Sequence, residues 1–253
     1  MSNTSTFSLK KGARELFKIK GGKLHNQKVL LSNENKGKTD FPEIIVQDGT
    51  LQQIPSYEDR DCLYIAGPSG AGKSTYAAQY AKEYKSKFPN NNVILFSPKI
   101  DDPVLNELNP IRIRLSDDNF LDEDNSLVVD DLENSLCIFD DIEGISDKKI
   151  KDAVQGLRDQ ILVLGRSKYI SCITISHLIT DNKNTKYPIV ESQFVTMFPS
   201  GGLNYQYTRF LKNYCGLNNK QIHKILRETP SRWVTIHKSF PYYIISKDMA
   251  YFL

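Results

Sequence analysis

Long apolar runs are missing from this chain. Nothing approaches the ~18 consecutive apolar residues of a membrane span, and the amino terminus, MSNTSTFSLK, holds no apolar segment of the kind a secretory leader requires. An intracellular protein without a membrane span is expected. Cysteine is scarce: Cys62, Cys137, Cys172 and Cys215 show no CxxC spacing, and three of them lie inside apolar runs that read as strands. They are expected to be buried, reduced thiols rather than metal ligands or a disulfide framework. Lys and Arg are absent between Arg114 and Lys148, a stretch that holds twelve acids. The other residues therefore carry 33 basic against 18 acidic side chains, and the excess is concentrated in 1–40 (nine against three) and 201–253 (eight against two). Two basic ends suit a polyanionic partner such as nucleic acid.

Residues 1–40 are polar and Lys-rich, with Gly21, Gly22 and Gly37, and are expected to form an irregular or partly disordered arm. From Phe41 onward, short apolar runs alternate with helical patterns. Strands are predicted at 43–47, 61–66, 92–97, 135–140, 170–176 and 192–198, and helices at 73–88 and 148–164. One helix carries the stripe Ala77, Ala81, Tyr84, Phe88, and the other carries Ile150, Val154, Leu157, Ile161, Leu164. Such alternation argues an α/β fold, a mostly parallel sheet flanked by helices. The acidic stretch 116–134 reads as a surface loop with one short element near Leu127 to Val129. After Pro199-Ser200-Gly201-Gly202 come two short helical patterns, 204–214 and 218–227, then WVTIH and YYIIS separated by Pro241. These make residues 203–253 the sheet's far edge or a small subdomain of a domain spanning 41–253.

Residues 67–75, GPSGAGKST, fit G-x-x-x-x-G-K-[ST] between an apolar strand and an amphipathic helix. Gly67, Pro68, Ser69, Gly70, Ala71 and Gly72 form a loop whose N–H groups turn inward around a phosphate, at the positive end of a helix dipole. Lys73 is placed to reach the β- and γ-phosphates of ATP, Ser74 to ligate Mg²⁺, and Thr75 to touch the α-phosphate. The run Leu136-Cys137-Ile138-Phe139-Asp140-Asp141 is a buried strand with acids at its carboxyl end, where open α/β sheets bind ligands. Asp140 is the candidate metal partner and Asp141 the candidate base for the attacking water, with Glu143 as the fallback. LGRSKY then ends the second helix, and ISCITIS leads to His177. His177 is a candidate γ-phosphate sensor, and Arg166 a candidate finger serving a neighbouring subunit.

The order GPSGAGKST, CIFDD, LGRSKYISCITISH, with the tail SRWVTIHKSFPYYIISKD, resembles the genome-packaging ATPases of large DNA viruses and virophages, poxvirus-type members of the FtsK–HerA superfamily. The resemblance runs from about Cys62 to the carboxyl terminus. It implies a P-loop NTPase of the RecA/FtsK–HerA kind, a homo-oligomeric ring that threads double-stranded DNA into a preformed capsid, with capsid or portal-vertex proteins as partners. It also implies residence in the host cytoplasm or the virion. In this scheme Lys73 and Ser74 serve the nucleotide and Mg²⁺, Asp140 and Asp141 the metal and water, Arg166 acts in trans and His177 is the sensor. A P-loop small-molecule kinase would use the same Lys73 and Asp140, but its arginine-rich lid has no counterpart in 178–187. A nucleotide-gated scaffold would have no use for the acid pair, and another DNA-translocating P-loop ATPase, such as a cellular translocase or helicase loader, stands as the other alternative.

Overall fold

The computed structural model describes residues 5–32, 40–56, 60–122, 126–180, 184–199 and 205–253. Its chain forms two compact units, Tyr57–Val195 and a second one made of Met1–Ser56 with Thr196–Leu253. This division differs from the boundary at residue 40 expected from composition.

The second unit opens with β1 (Thr6–Ser8), β2 (Arg14–Lys20), β3 (Lys28–Ser32), β4 (Asp40–Phe41), β5 (Glu43–Ile45) and β6 (Thr50–Gln53). Five of these form an antiparallel sheet in the order β4-β1-β3-β2-β6. The described part of the expected irregular arm is therefore largely strand, and its residues 1–4 and 33–39 lie outside the described residues. The reason is local. A bulge between Glu15 and Phe17 breaks the period-two alternation of β2, so Leu16 and Phe17 are both buried and the strand pattern is scrambled by one residue.

The first unit carries the parallel sheet. It contains β7 (Cys62–Ala66), α1 (Lys73–Lys87), β8 (Asn92–Phe96), α2 (Pro103–Asn106), β9 (Ile111–Ile113), α3 (Asp117–Phe120), β10 (Ser135–Asp140), α4 (Lys148–Leu164), β11 (Ser171–Ser176), α5 (Lys186–Glu191) and the first half of β12 (Phe194–Met197). The order is β12-β7-β11-β10-β8-β9, and every ladder from β7 to β9 is parallel. Runs such as CLYIA, SLCIFD and SCITIS are buried along their whole length, as strands covered on both faces must be. Cys62, Cys172 and Cys137 stand side by side in register across β7, β11 and β10, all buried beneath the same face of α4.

Both long helices follow their predicted stripes with one exception. α1 buries Ala77, Ala81 and Tyr84, and also Tyr80, whose hydroxyl donates to Asp61 Oδ2 at 2.7 Å. α4 buries Val154, Leu157 and Ile161, but Leu164 is 58% exposed and Leu162 is buried instead. Beyond Leu164 the helix gives way to the 3-10 turn Gly165–Lys168. Arg60 donates to the carbonyls of Ile161 and Leu162 at this end. A Cβ on Gly165 would come within 2.7 Å of the Arg60 guanidinium, so the glycine leaves room for the group that caps the helix. In the acidic stretch, α3 and a 3-10 turn Val129–Leu132 replace the single element predicted near 127–129.

The remainder of the second unit is α6 (Tyr205–Asn213), α7 (Asn219–His223) continued by a π-helical turn Lys224–Glu228, and β13 (Val234–His237), β14 (Tyr243–Ser246) and β15 (Met249–Phe252). These three strands and β5 form an antiparallel ladder β5-β15-β14-β13. Phe7, Phe17, Tyr243 and Phe252 pack ring against ring in its core, and His237 stacks on Tyr243 at 4.6 Å.

Candidate nucleotide and catalytic site

Four adjacent parallel strands deliver the chemistry to one edge of the sheet. β7 ends at Gly67, β11 at His177, β10 at Asp140 and Asp141, and β8 at Ser97 and Lys99. The register pairs Ser176 with Ala66, Ile175 with Asp140 and Phe139 with Phe96, so these endings lie level. This is the carboxyl edge, where open α/β sheets place ligands.

The loop between β7 and α1 is held by its own backbone. Gly67 N–H donates to Ser176 O at 3.2 Å, and Gly70 and Gly72 take φ of 72° and 105°, values that glycine adopts without strain. Among the described residues no side-chain hydrogen bond caps α1, and its first turn holds no acid, so its positive dipole end faces the loop. Lys73 is 8% exposed, and its ammonium donates to Gly67 O at 2.9 Å and Pro68 O at 3.1 Å. Burial holds its pKa below the usual lysine range, against the opposing pull of Asp141 and Asp140. Pro68, Ser69, Gly70 and Thr75 are exposed around this cradle, and Ala71, Gly72 and Ser74 are half-buried.

His177 joins the loop to the acids. Its Nδ1 lies 3.5 Å from the Lys73 ammonium and its Nε2 3.0 Å from Asp141 Oδ1. The following residue is pinned by the buried Tyr64 phenol, which donates to the Leu178 carbonyl. Asp141 takes φ 51° and ψ 31°, a left-handed conformation that an L side chain adopts at a cost. That turn begins the 3-10 segment Ile142–Gly144 and leaves Asp141 beside His177.

Asp140 is 1% exposed, and burial with the neighbouring Asp141 charge raises its pKa above the usual carboxylate range. One of its oxygens, Oδ2, receives the Ser97 hydroxyl at 3.4 Å and the Lys99 ammonium at 3.2 Å, while Oδ1 is buried without a hydrogen-bond partner among the described residues. A buried, unpartnered carboxylate oxygen level with a phosphate-binding loop fits a hard cation. Mg²⁺ is held by one or two protein ligands plus phosphates and water, so Asp140 and Ser74 suffice. Glu143 stands on the same 3-10 turn, with Oε2 buried and unpartnered among the described residues.

Sequence reasoning missed Lys99. It contacts Asp141 Oδ2 at 2.6 Å as well as Asp140. Burial opposes its charge, but hydrogen bonds and attraction from Asp141 and Asp140 outweigh this and raise its pKa. Its position directly beyond the end of a strand in a parallel sheet was the available signal. Arg166, by contrast, is not brought to the site. It is exposed in the turn that precedes β11, while His177 follows that strand, so the two are separated by its full length, roughly 20 Å.

This architecture is that of a P-loop NTPase. Among solved structures, the genome packaging NTPase B204 from Sulfolobus turreted icosahedral virus 2, in complex with sulfate, superposes with a TM-score of 0.50 at 15% identity, covering 74% of this chain and 96% of that one. The AMPPCP complex of the same NTPase gives 0.48 at 12% identity, covering 74% and 97%. No family model matches the chain. Uncharacterized protein V3 of Sputnik virophage is 41% identical over 249 residues, which span 97% of this chain and 98% of that protein. The chain belongs to the family of that virophage protein.

Proposed function

We infer that the chain is an ATP-hydrolysing motor that translocates double-stranded viral DNA into a preformed capsid. The observation that carries this reading is the row at the carboxyl edge of the sheet, in which Lys73, His177, Asp141 and Asp140 follow one another at contact distance on neighbouring strand ends. The loop and the α1 amino terminus bind the phosphates of ATP, and Lys73 neutralises the β- and γ-oxygens. Asp140 and Ser74 hold Mg²⁺, which when bound spreads the charge developing on the transferred phosphoryl group. Asp141 orients the attacking water and accepts its proton, and His177 relays the state of that carboxylate to Lys73. Arg166, remote from its own site and exposed, serves the site of an adjacent subunit in a homo-oligomeric ring.

The DNA part of the reading draws on charge and on the likeness in fold to B204. Lys10, Lys11, Lys20, Lys23 and Lys28 are exposed on and beside the five-stranded sheet, and residues 5–32 hold seven Lys or Arg against one acid, Glu15. Such a surface neutralises backbone phosphate without reading bases. Capsid or portal-vertex proteins are the further partners of a motor of this kind, and the host cytoplasm or virion its place of action. Among the described residues no helix is long and apolar enough to cross a membrane.

The deciding experiment is ATP hydrolysis by the purified chain with and without linear duplex DNA, beside Lys73→Ala. Stimulation by DNA that weakens with salt and disappears in Lys73→Ala is expected. Phosphate transfer to a small acceptor, or hydrolysis unaltered in Lys73→Ala, would overturn the reading.

A further inference from the structure

The geometry points to Lys99 as a built-in counterion of the acid pair whose charge opposes a divalent cation at Asp140 Oδ1 and whose side chain moves off the pair when that cation binds, which makes Lys99 a positioning residue that sets the metal requirement of the site. The inference rests on the reading of this site as a Mg²⁺-nucleotide site. One ammonium spans two carboxylates of successive residues, 3.2 Å from Asp140 and 2.6 Å from Asp141. Two adjacent acids, one of them 1% exposed, repel each other when both are ionised, and a cation between them removes that repulsion. In this structure the cation is Lys99.

The arrangement is built to release. The Lys99 side chain is 40% exposed, whereas Asp140 is fixed at the strand end. A second acceptor waits for it: Asp102 Oδ2 is 4.0 Å from the same ammonium, while Asp102 Oδ1 is engaged by the Val104 and Leu105 N–H groups at the start of α2. Displaced from the acid pair, the ammonium closes on Asp102 without leaving the protein. Its main chain stays anchored, with Lys99 N–H on Ser97 Oγ at 3.2 Å and its carbonyl accepting from Arg112 at 2.7 Å. The movement therefore belongs to the side chain.

The test is binding of a fluorescent, non-hydrolysable ATP analogue to the full chain across a Mg²⁺ titration. In Lys99→Gln the competing charge is gone, so the Mg²⁺ concentration for half-maximal analogue binding falls by about tenfold or more, while binding of the metal-free analogue stays level or weakens. Lys99→Arg, which keeps the charge, remains near wild type. Asp102→Asn keeps the cap on α2 but removes the second acceptor, so its Mg²⁺ requirement rises. This second variant carries the test if Lys99→Gln does not fold. An unchanged or raised Mg²⁺ requirement in Lys99→Gln, or an unchanged one in Asp102→Asn, overturns the inference and leaves the nucleotide site intact. Wild-type protein that binds no analogue at any Mg²⁺ concentration removes both.

Discussion

His177 and Asp141 meet across the ends of two adjacent parallel strands, with the imidazole Nε2 3.0 Å from the carboxylate Oδ1. The other ring nitrogen, Nδ1, lies 3.5 Å from the Lys73 ammonium, so the imidazole stands between the loop lysine and the acid. A change in the charge near Lys73 would thereby be felt at Asp141, the carboxylate proposed to orient the water.

This contact separates Asp141 from Glu143. Asp141→Asn should bind nucleotide within a few-fold of wild type and lose about 10²–10⁴ in turnover, because water positioning fails while Asp140 and Ser74 still hold the metal. Glu143→Gln should lose much less. Analogue binding and single-turnover hydrolysis on both variants check this, and a larger loss in Glu143→Gln would transfer the role of base to that residue.

Arg166 lies at the far end of β11 from its own site, so its contribution is expected across a subunit interface. Arg166→Ala should bind nucleotide normally and hydrolyse it slowly. Mixing it with Lys73→Ala pairs an intact loop with an intact arginine at some interfaces. A finger contributes about 10³–10⁵ in rate, so a small fraction of repaired interfaces would exceed both parents. Co-assembled mixtures without recovery would assign Arg166 to its own subunit or to the fold.

His237 governs acid sensitivity. Burial lowers its pKa to about 4, aided by the nearby Arg14 charge and opposed by hydrogen bonds to the Pro241 and Ser239 backbone. The unfolded chain, with an imidazole near its ordinary value, takes up the proton first. Stability is therefore full above about pH 6.5 and falls as pH drops toward 4, by about 3 kcal/mol in all. Denaturant unfolding between pH 7 and 4 should show this slope in wild type and a flatter one in His237→Gln; parallel slopes would clear His237 of the effect.

The central sheet was legible because its strands are short apolar runs bounded by polar turns, and β10 and α4 carry the limits read from sequence, 135–140 and 148–164. The P-loop was legible because the motif fixes identity, spacing and flanking elements together. The amino-terminal strands were not, since the bulge in β2 and the lysines at 18, 20 and 28 hide the alternation. β6, β9 and β15 are three or four residues long, too short to show a strand period in the sequence. Lys99 escaped for a different reason: its partners lie about forty residues away and meet it only through strand order. Leu164 followed the helical period in sequence, but it is the last residue of α4, where the packed stripe has already ended.

The row of Cys62, Cys172 and Cys137 gives the folded sheet a redox silence that the unfolded chain does not share. Burial pushes the Cys137 and Cys172 thiols up to about 12, and Cys62 higher still, so the folded centre offers an oxidant no thiolate. Neighbouring strands run about 4.8 Å apart, within the span a disulfide bridges. Cys172, in the middle, can pair with either neighbour but never with both. A chain oxidised before it folds could therefore carry into the sheet a bond from Cys172 to Cys62 or to Cys137, and never both.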